Sequence, residues 1–210
     1  MTCTVHLYVF DGYADWEPAF AIAGLNSSDF QRAPGRFTVR TVGAQRDTLV
    51  HSMGGLTVLP DLGLDQLRPA DSAMLIVPGG RGWEDDGAHM WAVNKAADFL
   101  DQGAPVAAIC GATAGLAKAG LLDDRPHTSN AAAYLNGTGY DGADWYHDEP
   151  VVADDNLITA GGMAPLEFAR EIFRLLEVYD DDALEAWYQL YKTGKSAWFA
   201  RLREASDAAA

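Results

Sequence analysis

Cationic side chains are scarce in this chain: Lys and Arg number 15 against 30 Asp and Glu among 210 residues, a formal charge of −15. Such a surface repels phosphate backbones and anionic lipid headgroups, so neither nucleic acid nor a membrane is an expected partner. Cysteine is scarcer still, with Cys3 and Cys110 alone. Two thiols make no disulfide framework, and a reducing cytoplasm is the expected location. No run approaches the ~18 apolar residues of a membrane span, and Met1 to Phe10 lacks the basic start and long apolar core of a secretion signal. Internal repeats and low-complexity linkers are missing too. What is present is a chain 49% apolar, enough for one α/β domain with a substantial core and too short for a second full one.

Short apolar runs alternate with helical periodicity. Val5 to Phe10 reads as a strand, followed by a helix in which Trp16, Ala19, Phe20 and Ala23 recur at helical spacing. Arg36 to Val42 and Leu56 to Leu59 read as further strands, the latter after the turn-forming Met53-Gly54-Gly55. Ala73 to Val77 and Val106 to Ile109 are apolar throughout and flank a helix expected from about Asp86 to Asp101. Strands apolar on both faces, alternating with helices, predict a doubly wound, mostly parallel sheet with helices on both faces. A helix is expected from Gly111 to Leu122, a loop from Asn136 to Asp144, a hairpin from Val151 to Ala160, and a helix starting at Pro165. Beyond Asp181 come two aromatic-rich amphipathic segments separated by Thr193-Gly194-Lys195-Ser196, with a terminal SDAAA expected to fray. So much aromatic area has to dock, and the rim of the Cys110 pocket or a dimer seam is where it is expected.

Cys110 stands where an apolar strand gives way to a Gly- and Ala-rich helix, in Ala108-Ile109-Cys110-Gly111-Ala112. Small neighbours permit the sharp turn of a nucleophile elbow, which lifts the side chain above the carboxyl edge of the sheet. The N-terminus of the following helix favours thiolate over thiol, so a lowered pKa is expected. In Ala14-Asp15-Trp16-Glu17-Pro18, Asp15 suits an N-cap and Glu17 the first turn, where a carboxylate ordinarily just complements the helix dipole. If the preceding strand is central, however, its loop opens on the same edge as the elbow. Glu17 then reaches Cys110 and, desolvated, stays protonated and donates a hydrogen bond to it. Val77-Pro78-Gly79-Gly80 ends another buried strand, and the amides of Gly80 and Gly111 are candidates for an oxyanion hole. The neighbouring Gly79-Gly80-Arg81-Gly82 lacks the Walker pattern of a phosphate cradle. The five histidines have no metal-ligand spacing, and no metal or other cofactor is expected.

With GYADWE, VPGG, AAICGA and LITAGGMAPLEF in this order, the chain resembles the ThiJ/PfpI superfamily from about Val5 to Glu177. The resemblance implies a flavodoxin-like fold related to class I glutamine amidotransferase domains, in a homodimer. It divides the chain into a ThiJ/PfpI-like region, 1–180, and a C-terminal helical extension of the same domain, 181–210. It also implies a nucleophilic or oxidation-sensitive Cys110 and makes Glu17 the protonated acid beside it. One departure is plain. Members that hydrolyse amide bonds carry a histidine after the cysteine or farther downstream, whereas here Gly111 follows Cys110, and the slot after Thr128-Ser129 holds Asn130. His127, three residues earlier, should face the opposite side of an extended segment and is expected to pack rather than act as a base. Asn130, His127 and Asp15 are therefore accessory candidates, and no standard triad can be assigned.

Three readings of function follow. The leading one is an enzyme in which Cys110 attacks a small electrophile, such as an α-oxoaldehyde, an isonitrile or an activated acyl carbon, with Glu17 moving the proton. A second is a stress or redox sensor in which Cys110 is oxidised to sulfinate. A third is a binding or scaffold dimer.

Overall fold

The computed structural model describes residues 2–85 and 87–209. In chain order β1 (Cys3–Tyr8) leads into α1 (Trp16–Asn26) and β2 (Phe37–Gly43). A short ribbon follows, β3 (Val50–His51) with β4 (Thr57–Val58), then β5 (Leu62–Gly63), β6 (Met74–Val77), α2 (Met90–Asp101) and β7 (Val106–Ile109). Next come α3 (Gly111–Lys118), α4 (Ala132–Asn136), β8 (Val151–Asp154), β9 (Leu157–Ala160), α5 (Pro165–Leu175), α6 (Asp181–Thr193) and α7 (Ala197–Ala209).

Among the described residues the main sheet has seven strands in the order β5-β2-β1-β6-β7-β9-β8. Every neighbouring pair is parallel except β8 with β9, the hairpin expected from Val151 to Ala160. Burial explains which strands are central. All residues of β6, β7 and β9 are buried, as continuous apolar runs require. Helices α1 and α5 pack together over the sheet, while α2 packs with α3. The result is a flavodoxin-like, doubly wound fold. Its chain order reverses between β1 and β6, so the loops after these strands part and leave a crevice at the carboxyl edge.

Several boundaries differ from the expectations. The Leu56–Leu59 segment is reduced to β4, which pairs antiparallel with β3 outside the main sheet. The added edge strand β5 is too short to register as a pattern. Asp86, where α2 was expected to begin, lies outside the described residues, and the helix starts at Met90. Helix α3 stops at Lys118 because Gly120 takes φ +74, closing the helix with a Leu121 N–H to Leu116 O bond of 3.0 Å. At the other end α7 runs to Ala209, through most of the segment expected to fray.

In α1 the apolar stripe at Trp16, Ala19 and Ala23 lies outward, and Trp16 is 50% exposed. The buried face is Glu17, Pro18, Ala21, Gly24 and Leu25. This helix is apolar nearly all round, so periodicity alone did not say which side faces the sheet. Gly24 is where α1 meets α5: a Cβ there would fall 2.3 Å from the ring of Phe173. The C-terminal segments share the core, since Ala183, Leu184, Ala186, Trp187 and Leu202 belong to the same apolar cluster as the sheet residues.

Candidate functional site

Strand β7 delivers Cys110 at its carboxyl end, one residue before α3. The cysteine adopts φ 59 and ψ −125, a strained backbone for a residue with a Cβ. It is held by its own N–H to Ala160 O at 2.9 Å on the neighbouring strand, and its carbonyl accepts from Thr113 Oγ1 at 2.6 Å. The Thr113 hydroxyl also meets Ser129 Oγ at 2.6 Å, which ties the elbow to the segment carrying Asn130. The elbow expected from the small residues around Cys110 is therefore present, with a half-buried thiol.

Glu17 reaches this thiol from α1. Its side chain is almost wholly buried, its Oε2 accepts the Gly79 N–H at 2.6 Å, and it is in hydrogen-bond contact with Cys110. Burial pushes the carboxyl up to about 7, against the opposing pull of the bonds from Cys110 and Gly79. The thiol behaves differently from the expectation of a helix-activated thiolate. Burial, then the Glu17 charge, push Cys110 up to about 11, outweighing the Asn130 and Gly111 donors that favour the thiolate. A helix N-terminus lowers a thiol pKa only where desolvation and a neighbouring carboxylate do not oppose it.

Asn130 meets the thiol from the segment that follows Ser129. Its Nδ2 donates to Cys110 Sγ at 3.4 Å while its Oδ1 accepts the Gly162 N–H at 2.8 Å, so one amide spans the thiol and the loop after β9. His127 is fully buried elsewhere, its ring nitrogens meeting Arg125 O at 2.8 Å and Tyr140 Oη at 3.2 Å. Asp15 occupies the N-cap position of α1 but makes no capping bond. Its carboxylate instead accepts from Ser52 Oγ at 3.0 Å and the Gly54 N–H at 3.1 Å, fastening the β3–β4 ribbon to the start of α1.

Of the two oxyanion candidates, the Gly111 N–H is bonded to the sulfur. Gly80 instead sits in an antiparallel bridge with Tyr13, flanked by Ala14 N–H to Gly79 O at 3.0 Å and Arg81 N–H to Gly12 O at 3.1 Å. Two other glycines crowd the thiol and were not singled out from sequence. A Cβ on Gly79 would lie 2.9 Å from both Cys110 Sγ and Glu17 Oε2, and one on Gly162 would lie 2.8 Å from Sγ. The repeated GG pairs in VPGG and TAGGM were the available signal.

Above the thiol opens a cavity of about 670 Å³ whose lining includes Glu17, Cys110, Asn130, Gly162, Glu167 and Lys192. Lys192 comes from α6, so the C-terminal extension does reach the rim of the Cys110 pocket. There Lys192 Nζ and Tyr188 Oη both bond Glu167 Oε1. Burial alone would raise the Glu167 carboxyl, but Lys192, its own backbone N–H and Tyr188 together hold it below its ordinary value. Among the described residues, no group of three or more His, Cys, Asp or Glu could hold a metal ion, and no helix is long and apolar enough to cross a membrane.

A half-buried cysteine on a strained elbow, faced by a buried carboxyl at the switch point of a mostly parallel sheet, defines a class of flavodoxin-like α/β proteins. Within that class the chain belongs to the DJ-1/PfpI family, which its residues 3–175 match. It is 42% identical over 204 residues to the uncharacterized protease YoaZ of Bacillus subtilis, covering 96% of each chain. It is 33% identical over 127 residues to the deglycase PH1704 of Pyrococcus horikoshii, covering 59% of this chain and 74% of that one. Among solved structures it resembles the thiJ/pfpI family protein from Bacillus anthracis, with a TM-score of 0.90 and 41% identity over 98% of this chain and 97% of that one.

Proposed function

We propose that this chain is a cysteine-dependent enzyme that adds Cys110 to a small carbonyl electrophile, an α-oxoaldehyde being the substrate class that suits it best. The observation that carries the reading is the contact between Cys110 and the buried Glu17 at the floor of an open cavity. A thiol held near 11 is not a standing thiolate, so its proton has to leave as the bond forms. A carboxyl raised to about 7 is matched to accept and return a proton at neutral pH.

In this mechanism the Glu17 carboxylate takes the thiol proton as Sγ attacks the aldehyde carbon. The sulfur–carbon bond forms, the carbonyl pair moves onto oxygen, and Glu17 returns the proton there to give a hemithioacetal. Glu17 then removes the proton on the former aldehyde carbon and delivers it to the adjacent carbon through an enediol, leaving a thioester. Water hydrolyses the thioester, the thiol leaves with its proton, and the product is a 2-hydroxy acid. No external oxidant or reductant is consumed. The Gly111 N–H and the Asn130 amide, both directed at the sulfur, hold the partial charges that develop beside it.

The Pyrococcus horikoshii relative's name, deglycase, fits chemistry on a carbonyl adduct. The Bacillus subtilis relative's name, protease, fits less well, because peptide cleavage requires an acid for the leaving amine and His127 is engaged with Arg125 and Tyr140. The test is hydroxy-acid production from methylglyoxal. Cys110→Ser and Glu17→Ala are each expected to lower turnover at least about 10²-fold. Turnover retained in Cys110→Ser would overturn the proposal. So would a wild-type protein inert to methylglyoxal whose Cys110 converts fully to sulfinate in mild peroxide, which would favour redox sensing.

A further inference from the structure

On the far side of α6 from Lys192, a second cavity of about 220 Å³ lies between α1, the loop after it, α6 and α7. Six aromatic side chains line it: Phe20, Phe30, Tyr179, Trp187, Tyr191 and Phe199. Their rings meet at angles. Phe20 stands edge-on to Tyr191 at 5.3 Å, Trp187 is tilted against Tyr191 at 5.1 Å, and Phe30 is edge-on to Phe199 at 5.9 Å. Tyr179 and Trp187 are buried at the floor, while Tyr191 and Phe199 are 54% and 46% exposed at the mouth.

The same cavity is electrically one-sided. Asp29 lines it, and no Lys or Arg is among its lining residues. The last turn of α1 contributes Gly24 and Ser27 to the lining, with the Gly24 and Leu25 carbonyls bonded by Gln31 Nε2 at 2.7 and 3.1 Å. Phe30 takes φ 62, an outlier for a bulky side chain, and this conformation places its ring against Phe199 beside the cavity.

We propose that this cavity is a binding site for a small organic cation, a quaternary ammonium or a methylated amine. The negative faces of aromatic rings attract such a cation, and a carboxylate at the mouth adds to the attraction. A cavity of about 220 Å³ exceeds the ~150 Å³ that accommodates a benzene. Trp187, Tyr191 and Phe199 lie beyond the 3–175 span that matches the family, so the cage depends on the C-terminal helices of this chain.

The experiment is calorimetric titration of the full chain with choline and tetramethylammonium. The neutral isostere 3,3-dimethyl-1-butanol serves as control, and ligand-observed NMR is run in parallel. Choline is expected to bind at least about tenfold more tightly than the isostere. Tyr191→Ala and Phe199→Ala should each weaken it at least about fivefold, and Asp29→Asn should weaken choline while leaving the isostere unchanged. Because Asp29 is exposed, Asp29→Asn keeps the reading independent of folding. Equal binding of cation and isostere would overturn the proposal, as would no binding at millimolar choline or affinity indifferent to all three substitutions.

Discussion

At the scale of single residues, the site turns on one shared acidity problem. Cys110 and Glu17 are both desolvated, and ionising either raises the cost of ionising the other. Replacing Glu17 by Gln keeps an acceptor for the Gly79 N–H and a donor for the sulfur but removes the charge. The thiol pKa should then fall even as the proton shuttle is lost. In a Cys3→Ser background, the alkylation midpoint of wild-type Cys110 is expected above the ~8.5 of a free thiol, and that of Glu17→Gln clearly below the wild-type value. Turnover should meanwhile drop about 10²-fold or more. Alkylation rate and catalysis thus move in opposite directions. A wild-type midpoint under that of a free thiol would sink this account of the pair and restore the helix-activated thiolate.

At the scale of elements, three connections bring the chemistry together: the β1–α1 loop, the β6 exit and the loop between β9 and α5. The β6 exit is the most crowded, since a Cβ on Gly79 would fall 2.6 Å from Cys110 Cβ, but the last connection is the one that touches both Cys110 and Asn130. A methyl group on Gly162 would meet Cys110 Sγ at 2.8 Å and Asn130 Oδ1 at 3.3 Å. Gly162→Ala is therefore expected to displace Asn130 and reduce turnover at least about tenfold while costing only ~1–3 kcal/mol of stability. Crystallography or chemical-shift mapping would locate the displacement, and an active Gly162→Ala protein with Asn130 unmoved would refute it.

The C-terminal helices are the second element-scale question. Trp187 is buried against Phe173, with ring centroids 4.9 Å apart, and stacks on Tyr179 at 6.4 Å. Trp187→Ala should cost ~3–5 kcal/mol in denaturant unfolding. Truncation after Tyr179 should lower the melting temperature further and expose apolar surface that drives association. A truncated protein with unchanged melting point, mass and Cys110 alkylation rate would reduce α6 and α7 to an appendage.

At the scale of the whole molecule, buried titrating groups set how stability responds to pH. The Glu17 pKa rises on folding from 4.5 to about 7, so its contribution is complete below 4.5 and is lost as pH rises through about 7. His6 moves oppositely. Burial, then the Arg40 charge, lower it from 6.5 to about 4, so its contribution is present above 6.5 and is lost as pH falls through about 4. Burial lowers His89 and His127 as well. Over the overlapping window Glu17 opposes the histidines, so wild-type stability should rise less steeply with pH than the histidines alone would make it. Glu17→Gln removes one side: its melting temperature should climb with pH through the histidine window. Its unfolding free energy should also exceed that of wild type above about pH 7, by an amount on the order of 3 kcal/mol. Parallel melting curves for both proteins across that window would contradict this.

The sequence by itself determined the layer architecture, because runs such as Met74–Val77 and Val106–Ile109 can be satisfied only as strands covered on both faces. It also determined the elbow, because the small residues around Cys110 are a local steric requirement. Glu17 was legible only conditionally, through the expectation that β1 is central. What tertiary structure alone decided are the quantities that depend on distant neighbours. The direction of the Cys110 shift is set by burial and by Glu17, 93 positions away in the chain (110 − 17). The contact of Asn130 with the thiol depends on the loop after β9, which supplies Gly162 to the other end of its amide. Which stripe of α1 faces inward was undecided by a pattern apolar on every side, and which aromatics of α6 and α7 close the second cavity depended on where those amphipathic helices dock. Periodicity records how often a face recurs, whereas desolvation, charge coupling and close approach depend on what the folded chain places opposite that face.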